Sequence, residues 1–503
     1  MNPAEKQTDG FQLTALLEGF AESKALEAIK GLGVTDLCIA SQQVTPGSLF
    51  MASRGQTRHG LDFMGEAIAR GATAIVWESD SSRHPVAEVP LVKIDDLSEK
   101  LGDIAARFFA DPSAAMTITS ITGTNGKTSV AHFIAQALDR PDARCGLIGT
   151  LGAGLYGSMQ PTANTTPNAV DLQRAMAEFH NAGAKNVVME ASSHGLEQGR
   201  VNGVKVDTAV FANLSRDHLD YHGDMESYAA CKQKLFSFPG LKAAVINADD
   251  AVGNVLIDTL PAELRKVAFS LQGPVSGVET LSVRNIEKLA GGLRFKVEGP
   301  WGEGIIETAL LGAFNAQNLL ASLAVLLLAD MPMSEAVTRL SSVMPVPGRM
   351  ERFGGGDHPV VVVDYAHTPD AMEKALLALR THTSGKLVCV FGCGGDRDWG
   401  KRPQMGEVVE RHTDFAIITD DNPRNEDATA IVSQIRTGLQ RPRKMPVIHD
   451  RLSAIEMALE VAGPGDCVLI AGKGHEEYQI IEDKRIAFSD RQVIRDWLKG
   501  VQL

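Results

Sequence analysis

Aromatic residues make up only 5% of the 503-residue chain, so stacking on nucleic-acid bases is not its main activity. Positive charge is also short: 49 Lys and Arg stand against 62 Asp and Glu, a formal balance of −13. A protein that grips a duplex needs a net basic face, so nucleic acid is excluded as a partner. Small anions are not excluded, because one local cationic pocket suffices for them. Long apolar runs are missing too. The longest, Leu319 to Ala329, is broken by Ser322 and is too short to span ~30 Å of hydrocarbon at helical rise. The six cysteines form no CxxC pair, and Cys389 and Cys393 flank strand-like residues, so all six are expected to be reduced core thiols. No basic stretch followed by an apolar one opens the chain, no repeat recurs, and no low-complexity tract appears. A cytoplasmic enzyme is the expectation, with no membrane partner.

What is present is an ordinary globular balance, 44% hydrophobic and 22% charged, at a length that suits roughly three domains of ~150 residues. The first is expected over residues 1–111, with a helix-like stretch around Leu13 to Ile29 and a strand at Thr73 to Trp77. The second, over 112–346, opens on the β-rich run Met116 to Thr122 and closes on a helix through Leu319 to Leu328. Pro345-Val-Pro-Gly348 cannot continue a helix and reads as a linker. The third domain, 347–503, has strand-like runs at Pro359–Val363, Lys386–Phe391, Phe415–Thr419 and Cys467–Ala471, separated by helix-length segments. That alternation predicts an α/β chain built on parallel sheets, Rossmann-like in its last domain. Each run ends in polar or glycine residues, and carboxyl ends of parallel strands are where such sheets bind ligands.

The sharpest motif is Gly123-Thr124-Asn125-Gly126-Lys127-Thr128-Ser129, between a strand-like run and a helix in which Val130, Phe133, Ile134 and Ala137 share one face. Its glycines let backbone N–H groups face phosphate oxygens at a helix N-terminus. Lys127 can reach the β- and γ-phosphates, and the Thr128 hydroxyl can ligate Mg²⁺. Residue 121 is isoleucine, so the loop is a shortened GxxGK[ST]. Glu190 ends the run Asn186-Val-Val-Met-Glu. A carboxylate there suits Mg²⁺, although alone it could equally be a surface acid at a turn. Asn213 to Gly223 holds two histidines among acids and hydroxyls. Zinc would need a completed tetrahedral set that the sequence does not supply, which leaves Mg²⁺ with ATP as the simpler reading.

Ten motifs then occur in order: TGTNGKTS (122–129), MEASSHGL (189–196), NLSRDHLDYHG (213–223), INADD (246–250), GxFNxxN (312–318), PGRME (347–351), DYAHTPD (364–370), FGCGGDRD (391–398), DNPR (421–424) and GKGHE (472–476). Over nearly the whole chain this resembles the Mur ligases. The resemblance implies an N-terminal domain for a uridine nucleotide, a central ATP-binding domain and a C-terminal amino-acid-binding domain. It implies addition of meso-2,6-diaminopimelate to a UDP-N-acetylmuramoyl-dipeptide through an acyl phosphate, with ATP and two Mg²⁺ sites, by a monomer. Asn164, Thr165, Thr166, Ser192, Gln198 and Arg200 match contacts to the muramoyl-peptide. Lys232 matches a lysine carboxylated by CO₂, whose carbamate holds metal. Glu190 and His218 match metal-site residues, so the implied ligand set is Thr128, Glu190, His218 and carbamylated Lys232, with Lys127 catalytic beside them. Asn315 and Asn318 match the adenine side, and Arg349, Asp364 and His367 match nucleotide contacts. The first domain departs from the pattern. Ser41-Gln42-Gln43 stands where Asp-Ser-Arg is usual, with Gln42 as the candidate uridine contact, and His59 stands where aspartate is common.

The residues alone support a similar chemistry. A phosphate loop can move a γ-phosphoryl to a carboxylate, making an electrophile for an amine, with Arg200 neutralising the acceptor. In the third domain Arg397, Asp421, Asn422, Pro423, Arg424, Gly472 and Glu476 sit at expected strand ends. Two arginines suit carboxylates, and the acids and the amide suit an ammonium. The alternative for Arg424 is an exposed ion pair with Glu426 or Asp427. Three other activities fit parts of the pattern: addition of L-lysine, folylpolyglutamate synthesis, and a nucleotide switch that ligates nothing.

Overall fold

The structure, a computed structural model, describes residues 10–55, 57–289 and 291–500. The chain divides into two units. One comprises residues 10–120, Asp139–Asp207 and Ser237–Leu241; the other comprises Ile121–Leu138, Thr208–Phe236 and residues 242–500.

In the first unit, strands Asp36–Cys38, Ser48–Ala52, Ala74–Glu78 and Leu91–Ile94 form a parallel sheet in that order. Successive side chains leave a strand on opposite faces. Leu49, Met51, Ala74 and Val76 therefore pack with Leu13, Leu16, Leu17 and helix Leu97–Phe108 on one side, while Phe50, Ala52, Ile75 and Trp77 build a separate core on the other. The helix expected across Leu13 to Ile29 is two short ones, Leu13–Leu17 and Ser23–Ala28. Gly19 between them takes φ +81°, a left-handed conformation that ends a helix. A second group of strands in this unit pairs Arg144–Gly149 parallel with Ala184–Glu190 and closes with the antiparallel strands Gly152–Leu155 and Ser158–Gln160.

In the second unit, Thr208–Phe211, Ala243–Asn247, Arg265–Ser270 and Glu279–Leu289 lie parallel in sequence order, extended by antiparallel Gly292–Gly299 and Gly302–Thr308. This meander is not signalled by the motifs. Helix Ala313–Leu328 is apolar all round and correspondingly buried from Asn315 to Leu327 apart from Gln317. A five-stranded sheet follows in the order Glu351–Gly354, Val360–Asp364, Cys467–Ala471, Leu387–Phe391, Phe415–Ile418. All but the first strand are parallel, as the alternation predicts. They are continuous apolar runs because both faces are covered, one core holding Cys389, Phe391 and Leu469 and the other Val388, Val390 and Val468. All six cysteines are free and buried. Among the described residues, no helix is long and apolar enough to cross a membrane.

Candidate active site

In the second unit the strand ending at Thr122 turns through Gly123 and Gly126 into helix Lys127–Leu138. Both glycines have positive φ. A Cβ on Gly126 would fall 2.6 Å from Asn318 Oδ1, and one on Gly123 2.9 Å from Ala212 Cβ, so no larger residue fits either place. Asn213 holds the loop from outside: its Oδ1 accepts Asn125 N–H (2.8 Å), and its Nδ2 donates to Asn125 O (3.0 Å). Lys127 Nζ donates to Gly123 O (2.8 Å) and Thr124 O (3.0 Å), folded over the loop its motif was expected to serve. The Thr128 hydroxyl accepts from Arg349 Nη2 (3.1 Å), and the Arg349 guanidinium lies 4.4 Å over the Tyr365 ring.

Beside the loop opens a pocket of about 880 Å³ lined by Asn125, Gly126, Ser129, Asn315, Asn318, Arg349 and Asp364, with Val130, Phe133, Phe269, Leu310 and Phe314 as apolar walls. An apolar cleft with a few directed polar groups next to a phosphate-binding turn suits a purine nucleotide. The predicted residues Asn315, Asn318, Arg349 and Asp364 are thereby brought together. Burial pushes the Asp364 carboxyl up, offset in part by Arg349 and by the Met350 N–H it accepts at 2.7 Å. Lys232 is buried, donates to Gly123 O (2.8 Å) and lies 4.4 Å over the Tyr228 ring. Burial, then the Lys127 charge, holds its amine well below the ordinary lysine range.

A second pocket, of about 650 Å³, lies at the carboxyl ends of the five-stranded sheet. Arg397, Asp421, Asn422, Arg424, Gly472 and Glu476 line it together, as the strand-end pattern predicts. Glu426 pairs with Arg402 at 2.8 Å, whereas Arg424 donates to Gly395 O at 2.8 Å, so the exposed-pair alternative for Arg424 is not what forms. Arg424 adopts φ +52°, and its backbone is gripped by Ile480 O (3.0 Å) and the Glu482 N–H (2.8 Å). The side chain of Asn422 is tied on both sides: Oδ1 accepts from Lys473 Nζ (3.0 Å) and the Ile480 N–H (2.9 Å), and Nδ2 donates to Glu476 (2.8 Å). Asp421 Oδ1, by contrast, is buried with no hydrogen-bond partner.

Sequence reasoning assigns His218 to a metal site and His367 to the nucleotide, and misses Asp217 and Lys401, which line this pocket with them. His218 and His367 line it, and Asp217, buried at 4% exposure, faces both at 3.4 and 3.5 Å and Lys401 at 3.5 Å. Burial alone would raise the Asp217 carboxyl, but Lys401, His367 and His218 together hold it well below the usual range. Arg216 pairs with Asp398 at 3.1 Å alongside. Asp217 sits inside a motif and could have been found; nothing in the sequence singles out Lys401.

In the first unit, Thr165, Thr166, Glu190, Ser192, Gln198 and Arg200 join one hydrogen-bonded network. The Glu190 carboxylate accepts the Thr150 N–H (2.8 Å) and hydroxyl (3.1 Å), and Thr150 Oγ1 meets Thr165 Oγ1 at 3.2 Å. Thr166 Oγ1 donates to Glu190 O (2.8 Å) and accepts the Ser192 N–H (3.0 Å), while Arg200 donates to Thr166 O (2.9 Å) and to Gln198 Oε1. A Cβ on Gly149 would lie 2.2 Å from Glu190 Oε1, so glycine is required there. Asn164 is exposed beside this network. Gln42 is exposed, and the neighbouring Ser41 hydroxyl donates to Glu66 (2.6 Å). His59 is buried and caps the turn Gly60–Phe63, accepting the Leu61 N–H through Nδ1. Among the described residues no group of three or more His, Cys, Asp or Glu side chains forms a ready metal cage.

Comparison with known proteins accords with this geometry. Residues 34–109 match the Mur ligase family catalytic domain, 121–326 the Mur ligase middle domain, and 348–474 the Mur ligase glutamate ligase domain. The UDP-N-acetylmuramoyl-L-alanyl-D-glutamate–2,6-diaminopimelate ligase of Coxiella burnetii is 48% identical over 487 residues, covering 96% of this chain and 98% of that protein. The enzyme of the same name from Alkalilimnicola ehrlichii is 48% identical over 92% of this chain and 94% of its own. A solved structure bearing that enzyme name superposes with TM-score 0.67 at 36% identity, over 93% of this chain and 95% of that one. The MurF ligase of Thermotoga maritima in complex with ADP shares the fold, with TM-score 0.64 at 18% identity over 87% and 93%. The chain belongs to the Mur ligase family. It is an ATP-dependent ligase that forms amide bonds.

Proposed function

We propose that this ligase joins meso-2,6-diaminopimelate to UDP-N-acetylmuramoyl-L-alanyl-D-glutamate in peptidoglycan synthesis. The observation that carries the reading is the strand-end pocket, where a buried Asp421 oxygen that accepts no hydrogen bond, 3.8 Å from Lys473 Nζ, stands with Arg424 and Arg397. A buried carboxylate oxygen left without a donor is costly, and a ligand ammonium would satisfy it. The two guanidiniums suit carboxylates. An amino acid with a second amino-acid centre at its far end supplies both groups there; lysine, with a single carboxylate, has no distal one to offer the arginines. The names of the relatives support the same substrates.

The residues divide the chemistry as follows. Gly123 to Ser129 receive the ATP phosphates, and Lys127 leaves Gly123 O and Thr124 O to meet the γ-phosphoryl. Asn315, Asn318, Arg349 and Asp364 hold the nucleotide, whereas His367, which the resemblance also assigns to it, stands with Asp217 and His218 at the strand-end pocket. Asn164, Thr165, Thr166, Ser192, Gln198 and Arg200 hold the acceptor peptide, and Gln42 the uridine end. The acceptor carboxylate attacks the γ-phosphorus and ADP leaves. The amine nitrogen then attacks the acyl carbon, inorganic phosphate leaves, and the nitrogen gives up its proton. Positioning and fixed charge supply most of the acceleration.

Magnesium fits the oxygen donor at Thr128, a hydroxyl in the first turn after a phosphate loop. Glu190, His218 and Lys232 are the further candidate ligands, Lys232 as a carbamate. Burial and the Lys127 charge favour the neutral amine, whose lone pair addition to CO₂ needs; the adduct releases one proton and puts an anion where the amine stood. Bound Mg²⁺ neutralises charge on the transferring phosphoryl group. The three matched stretches support domains at 1–111, 112–346 and 347–503.

The deciding experiment is phosphate release with ATP and the UDP-muramoyl-dipeptide, comparing meso-diaminopimelate with L-lysine. Diaminopimelate-dependent release supports the reading. Equal use of lysine overturns it in favour of the lysine-adding activity.

A further inference from the structure

Besides the wall that holds Asp217, His218 and His367, three loops contribute to the strand-end pocket: Gly392–Asp398, Asp421–Arg424 and Gly472–Glu476. Loops of this kind are positioned by what holds their bases. Arg402 ties the first to the second, donating to Gly394 O (2.9 Å) and to the Glu426 carboxylate. Lys473 ties the second to the third through Asn422 and Glu476. The bases of the second and third loops meet at one further residue, Arg451, at the start of helix Arg451–Val461.

Arg451 is 1% exposed, among the largest fully buried side chains of the described protein. Its Nη2 donates to Ala471 O (3.0 Å), the carbonyl just before Gly472, and its Nη1 reaches Asp420 O (3.4 Å), the carbonyl just before Asp421. Gln479 Nε2 shares that second carbonyl at 3.3 Å. The other edge of the guanidinium is a fork on Asp490, Nε to Oδ1 at 2.7 Å and Nη2 to Oδ2 at 2.8 Å, with both side chains at 0% exposure. Asp490 opens the helix Asp490–Leu498 and lies beyond the matched residues 348–474. None of these atoms lines the pocket.

We infer that the Arg451–Asp490 pair is a positioning device for the amino-acid site: it sets the spacing of the Asp421–Arg424 and Gly472–Glu476 loops and makes that spacing depend on the helix Asp490–Leu498. The inference rests on the reading of this pocket as the amino-acid site. A hydrophobic pair could fill the same volume, and replacing a buried ion pair so is often neutral for stability. What an apolar pair cannot do is donate to two strand-end carbonyls at once. The planar fork fixes four directions simultaneously, whereas a lysine supplies a point charge on a flexible stem. Arg451→Lys therefore keeps the charge and loses the geometry, and Asp490→Asn keeps the shape and loses half of the fork.

The test uses the full-length enzyme with both variants, measuring kcat, KM for meso-diaminopimelate, KM for ATP and Tm. The expected result is a KM for diaminopimelate raised at least tenfold in Arg451→Lys and in the same direction, by less, in Asp490→Asn, with KM for ATP within twofold of the unmodified enzyme. If Arg451→Lys does not fold, Asp490→Asn alone decides by the same split. A fall in Tm or active fraction with KM for diaminopimelate within twofold assigns the pair to stability only and overturns the inference. So does an equal rise of both KM values. Failure of the unmodified enzyme to use diaminopimelate is a separate outcome that sinks the substrate reading, and the split is then measured with the amino acid it does use.

Discussion

At the scale of single residues, three side chains divide the proposed reaction between them. Lys127 is folded onto its own loop and must exchange two carbonyl partners for phosphate oxygens. Lys127→Ala removes the cation proposed to meet the γ-phosphate, and kcat is expected to fall at least about a hundredfold, the range for loss of one transition-state donor; near-normal ligation would show that the loop does not bind the γ-phosphate. For Lys232, the carbamate role predicts that Lys232→Ala loses activity and regains part of it when a small carboxylate is added. Full activity without rescue is the opposing result. Arg424 is half-buried, and its left-handed backbone is held by both neighbours of Ile481, so its place does not depend on ligand. Arg424→Ala is expected to raise KM for diaminopimelate at least tenfold, about 1.4 kcal/mol or more, with ATP binding by calorimetry unchanged. Loss of ATP affinity instead would place Arg424 in the nucleotide site.

At the scale of elements, the linker Pro345–Gly348 does more than connect the helix Met333–Ser341 to the strand Glu351–Gly354. Gly348 has φ +68°, and a Cβ there would fall 2.1 Å from His475 N, so linker and Gly472–Glu476 loop are in backbone contact. Gly348→Ala meets both an unfavourable backbone conformation and a clash that no side-chain rotation relieves. It is expected to lower Tm by at least about 3 °C and to weaken amino-acid and nucleotide use together, because Arg349 follows it directly. Unchanged melting would mean that the contact relaxes freely. The proline and glycine in the sequence announce a linker; they do not announce what it rests on.

At the scale of the whole molecule, acid sensitivity follows from two histidines of the second unit, His132, which is buried, and His475, which is half-buried. Burial, helped by Arg349, takes His132 down to about 4, and burial with Arg349 takes His475 to about 3. Both are depressed below the unfolded value near 6.5, so the folded state resists protonation that the unfolded chain accepts. Their contribution is intact above about pH 6.5 and is lost as pH falls toward 4, at up to 1.36 kcal/mol per pH unit per group. Urea unfolding between pH 7 and 4.5 should show the midpoint falling, and less so in His132→Gln. An identical slope in that variant would remove His132 from the account.

The sequence by itself determined the chemistry-bearing turns and the parallel α/β layout, because both are local. A glycine that needs positive φ, a lysine beside it, and apolar runs with polar ends are all written in adjacent residues. Thus the turns Gly123 to Ser129 and Asp421 to Arg424 are legible in the sequence, and the structure gathers Arg397, Asp421, Asn422, Arg424, Gly472 and Glu476 around one pocket. Only the tertiary structure decided which buried charges find each other. Lys401 meets Asp217 across 184 residues of chain, and Arg451 meets Asp490 across 39. It also decided that Asn422 is tied by hydrogen bonds to Lys473 and Glu476 while one Asp421 oxygen accepts none and lies 3.8 Å from Lys473 Nζ. Such pairings depend on long-range packing and desolvation, which no local pattern of residue types encodes.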